Sequence, residues 1–259
     1  MAERVEFGGN GRPTPWWAPI ALSWSFLTVL PAPFVEARPG AVAVALVFFP
    51  LVGAALGALL GGLSLALDRV LPDAPIAVLV LAASALLTGG LHLDALMDTA
   101  DGVFGGTTPA DRLTIMRDSR IGAFGAIAGA LALLGQYACL SDLSGTARLI
   151  ALVVALALGR WAMVVAIRVF LPARPDGLGA TFHQAASVWT LAGATVLAVL
   201  AAVVTGPLGL AALAGSAAVA LLGGWFIARR IGGLTGDSYG ALAVVTETLI
   251  LYLAVALGR

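Results

Sequence analysis

Charged residues are scarce in this 259-residue sequence, and lysine is absent. Charged residues make up 11% of the chain, against about 25% in soluble domains, which excludes an ordinary soluble enzyme. The 14 arginines balance 14 acidic residues, so the formal net charge is zero and no nucleic-acid partner is expected. Cys139 is the one cysteine, which excludes an internal disulfide and a disulfide-stabilised secreted fold.

Long apolar runs dominate the chain instead: 60% of the residues are hydrophobic, and the mean hydropathy is +1.01. Seven runs approach the roughly 20 residues that a helix needs to cross a bilayer. They are 41–67, 75–91, 121–140, 149–171, 187–205, 208–228 and 240–258. We therefore predict an all-α polytopic integral membrane protein with about seven transmembrane helices, in one membrane-embedded domain of residues 16–259. In the first run, Gly53, Gly57 and Gly61 form a small-residue ladder that predicts close approach of another helix.

The N-terminal region differs from these runs. Residues 1–15 are polar and rich in Gly and Pro, which predicts a flexible tail. Residues 16–30 are apolar but too short to span, with Trp17 and Trp24 on one helical stripe. Because Trp favours the headgroup boundary, we predict an interfacial or re-entrant helix here. A short buried core helix is the alternative.

Arginine is unevenly distributed among the connections between the runs. Most of it lies in four polar segments, which are 1–40, 92–120, 172–186 and 229–239. The intervening connections are short and carry at most one Arg each. Since positive charge stays in the cytoplasm, a cytoplasmic N-terminus, an external C-terminus and a site facing the cytoplasm are predicted. A transporter needs polar sites near the membrane midplane, whereas the polar residues here gather at one face. The pattern therefore favours an enzyme over a transporter.

The densest polar stretch, GGLHLDALMDTADG (residues 89–102), follows the second run. On a continuing helix, Asp94, Asp98 and Asp101 share one face within a sector of about 60°. Three carboxylates on one face repel each other, and a cation relieves that repulsion. Carboxylate oxygens with water and phosphate co-ligands suit Mg²⁺ or Mn²⁺. His92 faces away from them and could act as a general base only if the helix breaks at the two glycines; a structural histidine is the alternative.

A second cluster, RDSRIGAFG, begins at Arg117 and leads into the third run. Arg binds phosphate bidentately, so Arg117 and Arg120, with Asp118 between them, suit an anionic ligand beside a metal. Arg112, five residues before this cluster, fits a positive-inside anchor.

Two further clusters are ARPDGLGATF (residues 173–182) and GGLTGDSYGA (residues 232–241). In the first, Gly177 and Gly179 allow a ligand to approach the backbone beside Arg174. The second adds Asp237 to the acidic set. Carboxylates that hold a metal and arginines that neutralise developing charge are typical of phosphoryl or phosphodiester transfer. No nucleotide-binding P-loop is present.

Two charged residues lie within the apolar runs themselves. Arg160 is near the middle of the fourth run, and Glu247 lies two turns into the last. Ionisable residues inside a membrane are costly unless they are paired or solvated, and they are functional candidates for that reason. A substrate-binding role and a structural pair between the two are both open.

The motifs GGLHLDALMDTADG, RDSRIGAFG, ARPDGLGATF and GGLTGDSYGA, in this order, resemble the cobalamin (5′-phosphate) synthase family over residues 20–258. The resemblance implies a Mg²⁺-dependent integral membrane enzyme of the bacterial cytoplasmic (inner) membrane. Such enzymes are adenosylcobinamide-GDP ribazoletransferases, which join adenosylcobinamide-GDP to α-ribazole or its 5′-phosphate and release GMP. Two departures are Val29, where the family usually has Arg, and Val244, where it often has an acid; the Asp set is intact.

The residues and the resemblance together predict three groups. The catalytic group is Asp94, Asp98, Asp101, His92, Arg117 and Arg120. The substrate-binding group is Arg174, Gly177, Gly179, Arg160, Thr235, Gly236 and Glu247. The metal-binding group is Asp94, Asp98, Asp101, Asp118 and Asp237.

Two other functions stay open at this point. The spacing of Asp98, Asp101 and Gly102 is similar to that of the CDP-alcohol phosphotransferases, which also release a nucleoside monophosphate at a membrane. A transporter or a corrinoid-binding membrane component is the alternative from another class. The oligomeric state, including a homo-oligomer, and the choice between ribazole and its phosphate are also left open.

Overall fold

The computed structural model describes residues 15–35 and 38–258, and within these ranges the chain is almost entirely helical. Extended pairing among the described residues is limited to one parallel bridge between Pro172 and Leu234. The predicted all-α class is therefore confirmed. The predicted tail of residues 1–15 lies, apart from Pro15, outside the described residues.

The helices share a common apolar character and follow one another through short connections. In chain order they are α1 (Ala18–Leu27), α2 (Pro39–Val47), α3 (Phe49–Leu67), α4 (Asp73–Thr88), α5 (Leu91–Gly105), α6 (Pro109–Ile115), α7 (Ala123–Asp142), α8 (Gly145–Val169), α9 (Leu178–Ala185), α10 (Val188–Val203), α11 (Pro207–Ala218), a π-helical turn (Val219–Gly223), α12 (Gly224–Ile231) and α13 (Gly236–Leu257).

Five helical stretches are each long and apolar enough to cross a membrane: α3, α7, α8, the continuous Pro207–Ile231 stretch and α13. Two more candidates are bent pairs, with 88° between α4 and α5 and 93° between α9 and α10. The described chain thus contains five to seven spans, and the predicted number of about seven is reached when each bent pair counts as one.

The first apolar run, residues 41–67, forms two helices instead of one. Phe48 separates α2 from α3, and Pro50 lies in the first turn of α3. Proline has no backbone N–H to donate and is therefore favoured in the first turn of a helix, where that donor has no intrahelical partner. The run consequently restarts as a 19-residue spanning helix at Phe49.

The short N-terminal helix is present, as the sequence predicts. α1 has 10 residues, a rise of about 15 Å, which is too short to cross a bilayer. It packs on α2, and Ser23 donates a hydrogen bond to the Ala45 carbonyl across that contact. Ala18 and Leu27 are buried while Trp16 is 85% exposed. The interfacial placement of α1 stays a prediction.

Helix α8 is the centre of the bundle, and 89% of its most apolar stretch of 18 residues is buried. The predicted glycine ladder on α3 is what allows α8 to come close. A Cβ atom on Gly53 would lie 2.2 Å from the Leu156 carbonyl oxygen, and one on Gly57 would lie 2.5 Å from that of Leu152. The predicted close helix approach is confirmed, and its partner is α8.

Hydrogen bonds to backbone carbonyls tie the polar connections together at one end of the bundle. Arg112 Nη1 donates to the Arg230 carbonyl at 2.9 Å, which joins α6 to the end of α12. Arg174 Nη2 donates to the Leu113 carbonyl at 2.6 Å, which joins the segment after α8 to α6. Arg112, interpreted from the sequence as an anchor, therefore also holds two connections together. The regions that carry the four polar motifs meet at this end.

Candidate active site

The acidic motif begins a new helix and does not extend the preceding one. Gly89 and Gly90 both adopt left-handed backbone conformations, with φ of 63° and 71°. Two such residues in succession end α4. Glycine occupies both positions because residues with a Cβ rarely take this conformation. Helix α5 then runs at 88° to α4 and keeps Asp94, Asp98 and Asp101 at the predicted helical spacing.

The α5 carboxylates lie close enough to Asp237 of α13 to interact electrostatically. Asp98 lies in the repulsive field of Asp94, Asp237 and Asp101. Close packing of α5 on α13 brings these groups together: a Cβ on Gly240 would lie 2.6 Å from the Ala95 Cβ. A concentration of negative charge therefore lies where α5 meets the N-terminal end of α13.

Asp101 differs from the other carboxylates of this cluster because both of its oxygens are occupied. They accept hydrogen bonds from the backbone N–H groups of Gly122 and Gly125, each at 2.8 Å. Both N–H groups belong to the N-terminal turn of α7, so the Asp101 carboxylate caps that helix from α5. A Cβ on Gly125 would lie 2.3 Å from Asp101 Oδ2, so glycine is required for the approach. The sequence did not predict this capping role, because Gly122 and Gly125 lie 21 and 24 residues after Asp101.

The chemistry of the donors fits the predicted Mg²⁺. Carboxylate oxygens are hard ligands, and their mutual repulsion is what a divalent cation relieves. Among the described residues, no three His, Cys, Asp or Glu side chains are placed to ligate one ion together. Mg²⁺ does not require such a cage, since it is usually bound through one or two carboxylates together with water and substrate phosphates. One or two carboxylates of the cluster of Asp94, Asp98 and Asp237, together with water and a phosphate substrate, therefore fit Mg²⁺.

Asp118 and Arg120 pair with each other in the exposed connection between α6 and α7. Arg120 Nη2 donates to Asp118 Oδ2 at 2.6 Å and Nε to Oδ1 at 3.0 Å, while the Arg120 side chain is 87% exposed. These hydrogen bonds lower the pKa of Asp118 to about 2. A metal-ligand role for Asp118 and a phosphate contact for Arg120 require that the pair opens, and both stay predictions.

A cavity of about 210 Å³ adjoins the acidic cluster, and it is built from the third and fourth motifs. Backbone hydrogen bonds of 2.9 Å join Ala173 to Leu234 and Leu234 to Leu171, so the two segments run side by side. The lining residues that the sequence singled out are Arg174, Gly177, Gly179, Thr235, Gly236 and Asp237. The structure thus brings most of the predicted substrate-binding group to one place.

The lining of this cavity carries charge of both signs, from Arg174, Asp176 and Asp237. Burial and the nearby Arg117 lower the pKa of Arg174, while Asp237 and Asp176 act in the opposite direction. Arg174 is the positive group of the lining, and Arg suits contacts with phosphate. Positive and negative groups therefore meet at Asp237, with the α5 carboxylates on one side and Arg174 and Asp176 on the other.

His92, Arg160 and Glu247 lie apart from this site, in a pocket on the opposite face of α5. Arg160 Nη1 forms an ion pair with Glu247, which confirms the pairing that the sequence offered as an alternative. His92 is 4% exposed and faces Arg160. The helix break that the sequence required for a His92 base is present, but His92 points toward the bundle interior. Its predicted catalytic role, and substrate binding by the pair, stay predictions.

One buried charge that the sequence analysis missed is Arg148, at the other end of the bundle. Its side chain is fully buried and donates to Leu143, Ser64, Asp68 and Asp73. Its position at the start of an apolar run was the available signal, because a buried arginine implies acidic partners.

Comparisons with known proteins match nearly the whole chain. A family model described as Cobalamin-5-phosphate synthase matches residues 19–255. A protein of Roseiflexus sp. (strain RS-1) named adenosylcobinamide-GDP ribazoletransferase is 42% identical over 249 residues, which cover 92% of this chain and 91% of the relative. Proteins of the same name from Desulforamulus reducens and Deinococcus radiodurans are 41% and 40% identical, with 90% of this chain covered in each case and 94% and 83% of the relatives. No solved structure matches.

Proposed function

Because this chain belongs to the cobalamin-5-phosphate synthase family, we propose that it is a Mg²⁺-dependent membrane transferase that acts on adenosylcobinamide-GDP. It joins this substrate to α-ribazole or α-ribazole 5′-phosphate, and it releases GMP. The names of the relatives supply the two substrates. The observation that carries the proposal is the contact of the acidic cluster with the Arg174 cavity at Asp237.

We assign the metal to this cluster, in which one or two of Asp94, Asp98 and Asp237 would hold Mg²⁺. A bound Mg²⁺ would neutralise charge on the pyrophosphate. Asp101 stays engaged with the α7 amides, and each of its oxygens keeps a second lone pair, so a metal contact is an addition to the cap and not a replacement.

The Arg174 cavity is the binding place that we assign to the phosphate groups. Arg174 and Arg117 donate to phosphate oxygens and stabilise the charge that develops on them. A ribose hydroxyl of α-ribazole forms a bond to the phosphorus attached to cobinamide, the bond from this phosphorus to the bridging oxygen breaks, and GMP leaves with that oxygen. A carboxylate of the acidic cluster accepts the hydroxyl proton; His92 is the second candidate base.

We place the site at the cytoplasmic face of the bacterial inner membrane. The support is the arginine content of the connections that meet there, including Arg112, Arg117 and Arg174. Reporter fusions after residues 105, 178 and 235 should report the cytoplasm, and fusions after residues 71 and 143 should report the outer side. The reverse pattern would place the acidic cluster outside.

The deciding experiment is an incubation of the purified full-length protein with adenosylcobinamide-GDP, α-ribazole 5′-phosphate and Mg²⁺, with products identified by mass spectrometry. We expect a cobalamin phosphate and GMP in equal amounts, and no product when EDTA replaces Mg²⁺. Release of CMP from a CDP-alcohol, with no reaction of the corrinoid, would identify a CDP-alcohol phosphotransferase instead. Movement of unchanged corrinoid into proteoliposomes would identify a transporter.

A further inference from the structure

A small pocket with polar groups in its lining lies beneath the first turn of α5. It is lined by residues of α4, α5, α7, α8 and α13, and its volume is about 50 Å³. Its polar walls include His92, Arg160, Glu247, Gln136 and Thr88. His92 and Arg160 are 4% and 2% exposed, so bulk solvent barely reaches them.

Several polar atoms in this pocket have no partner among the described residues. Both ring nitrogens of His92 and the Nε of Arg160 are buried without a hydrogen bond. Glu247 pairs with Arg160 through a different nitrogen, Nη1. An imidazole offers one donor and one acceptor, or two donors when charged, and Arg Nε offers a donor. Such atoms in native proteins are almost always satisfied by protein or by ordered water.

We propose that the pocket is a buried water-binding site in which ordered water molecules bridge His92 to the Arg160–Glu247 ion pair. The volume suffices, because one water needs roughly 10–15 Å³ of probe-occupied space and two to four polar partners. Water fits better than an ion, because Arg160 already balances the charge of Glu247. Water also fits the mixture of donors and acceptors, since it serves both.

The waters add polar bridges between helices that already pack against one another. His92 is in the first turn of α5, next to the bend at Gly89–Gly90, whereas Arg160 and Glu247 belong to α8 and α13. The bridge therefore supports the end of α5 from below, on the face opposite the carboxylates. The inference does not depend on the proposed reaction.

Hydroxyl-radical labelling by X-ray radiolysis tests it, because radicals formed from bound water label the buried side chains next to that water. The full-length protein in nanodiscs is irradiated, and labelled residues are identified by mass spectrometry. Phe49 is the control: it is 1% exposed, its side chain has no polar atom that needs water, and it does not line the pocket. We expect His92 to be labelled at least about tenfold faster than Phe49. Equal, near-zero labelling of both would overturn the proposal.

A variant that fills the pocket separates bound water from leakage of bulk solvent. Ser84 lines the pocket, so Ser84→Leu should reduce His92 labelling about tenfold by displacing water. Leu86→Met, on the exposed face of the same helix, should leave the labelling unchanged. Undiminished labelling in a folded Ser84→Leu protein would also overturn the proposal. If that variant does not fold, the comparison of His92 with Phe49 decides alone.

Discussion

Helix α8 carries two buried arginines, and their surroundings differ. Arg148 and Arg160 are 0% and 2% exposed. Arg148 has every branch of its guanidinium engaged: Nε donates to the Leu143 carbonyl at 2.7 Å, Nη1 to Ser64 at 2.9 Å, and Nη2 to Asp73. Arg160 has one charged partner, Glu247, and its Nε has none among the described residues.

The difference shows that burial alone does not distinguish a structural charge from one available for function. A buried guanidinium stabilises a fold when its hydrogen bonds are complete, because its desolvation is then offset. Arg148 meets this condition and ties the ends of α3, α4 and α7 to the start of α8. Arg160 meets it only in part, so its pocket has unused hydrogen-bonding capacity next to His92.

The largest effect is expected from Arg148→Ala. The substitution removes all the bonds of a buried cation and leaves Asp68 and Asp73 without it, although both carboxylates are partly exposed. We expect a loss of about 3 kcal/mol in the free energy of unfolding, at the low end for a broken buried pair. Denaturant titration in detergent micelles measures it. Unchanged stability would show that the network does not hold the end of the bundle together.

The same distinction applies to two carboxylates of α5. Asp98 meets other carboxylates, whereas Asp101 is satisfied by two N–H groups. Asp98→Asn should lower kcat/KM at least about 100-fold, or about 2.7 kcal/mol, and should raise the Mg²⁺ concentration at half-maximal rate.

Asp101→Asn is the matched comparison. An amide offers one acceptor oxygen and no charge to the start of α7, so we expect a loss of about 1 kcal/mol in stability. The Mg²⁺ concentration at half-maximal rate should stay near the wild-type value. A shift as large as that of Asp98→Asn would identify Asp101 as a main metal ligand.

Local sequence patterns predicted the helices and the acidic face because both depend on neighbours within a few residues. The helical spacing of Asp94, Asp98 and Asp101 is present although α5 begins as a new helix after Gly90, since this spacing depends only on α5 itself. Contacts between distant segments could not be predicted in this way. Arg148 donates a hydrogen bond to Ser64, which lies 84 residues earlier in the sequence, and no hydrophobic periodicity relates the two positions. For the same reason, the sequence indicated that Arg160 needs a partner or a cavity, but could not choose between them.

A double substitution tests whether Arg160 and Glu247 matter beyond their ion pair. Replacing both with Met removes the charges together, which is often nearly neutral for stability, whereas Glu247→Met alone leaves an unpaired buried cation. We expect the double variant to be more stable than the single one, yet to lose about tenfold in kcat/KM, or about 1.4 kcal/mol. Wild-type kcat/KM in a stable double variant would show that Arg160, like Arg148, has only a structural role.

The smallest effects are expected from Lys in place of Arg112 and Arg120. Arg112 donates through Nε to Gly106 at 3.1 Å and through Nη1 to Arg230 at 2.9 Å. One ammonium cannot reproduce this fork, so Arg112→Lys should lower stability by about 1 kcal/mol and leave kcat/KM of the folded protein unchanged. Arg120 is exposed and pairs with Asp118, two residues away. Arg120→Lys should therefore keep full stability.

The two variants are therefore expected to differ from the wild type in different properties: Arg112→Lys in stability and Arg120→Lys in kcat/KM. If Arg120 leaves Asp118 to hold a phosphate, Arg120→Lys should lower kcat/KM about tenfold, because a point charge cannot replace the planar bidentate contact. Thermal unfolding and kcat/KM at matched protein concentration, measured for both variants, separate the two roles. Wild-type kinetics of the Arg120→Lys enzyme would show that Arg120 only pairs with Asp118. Full stability of the Arg112→Lys protein would show that Arg112 is only a topological anchor.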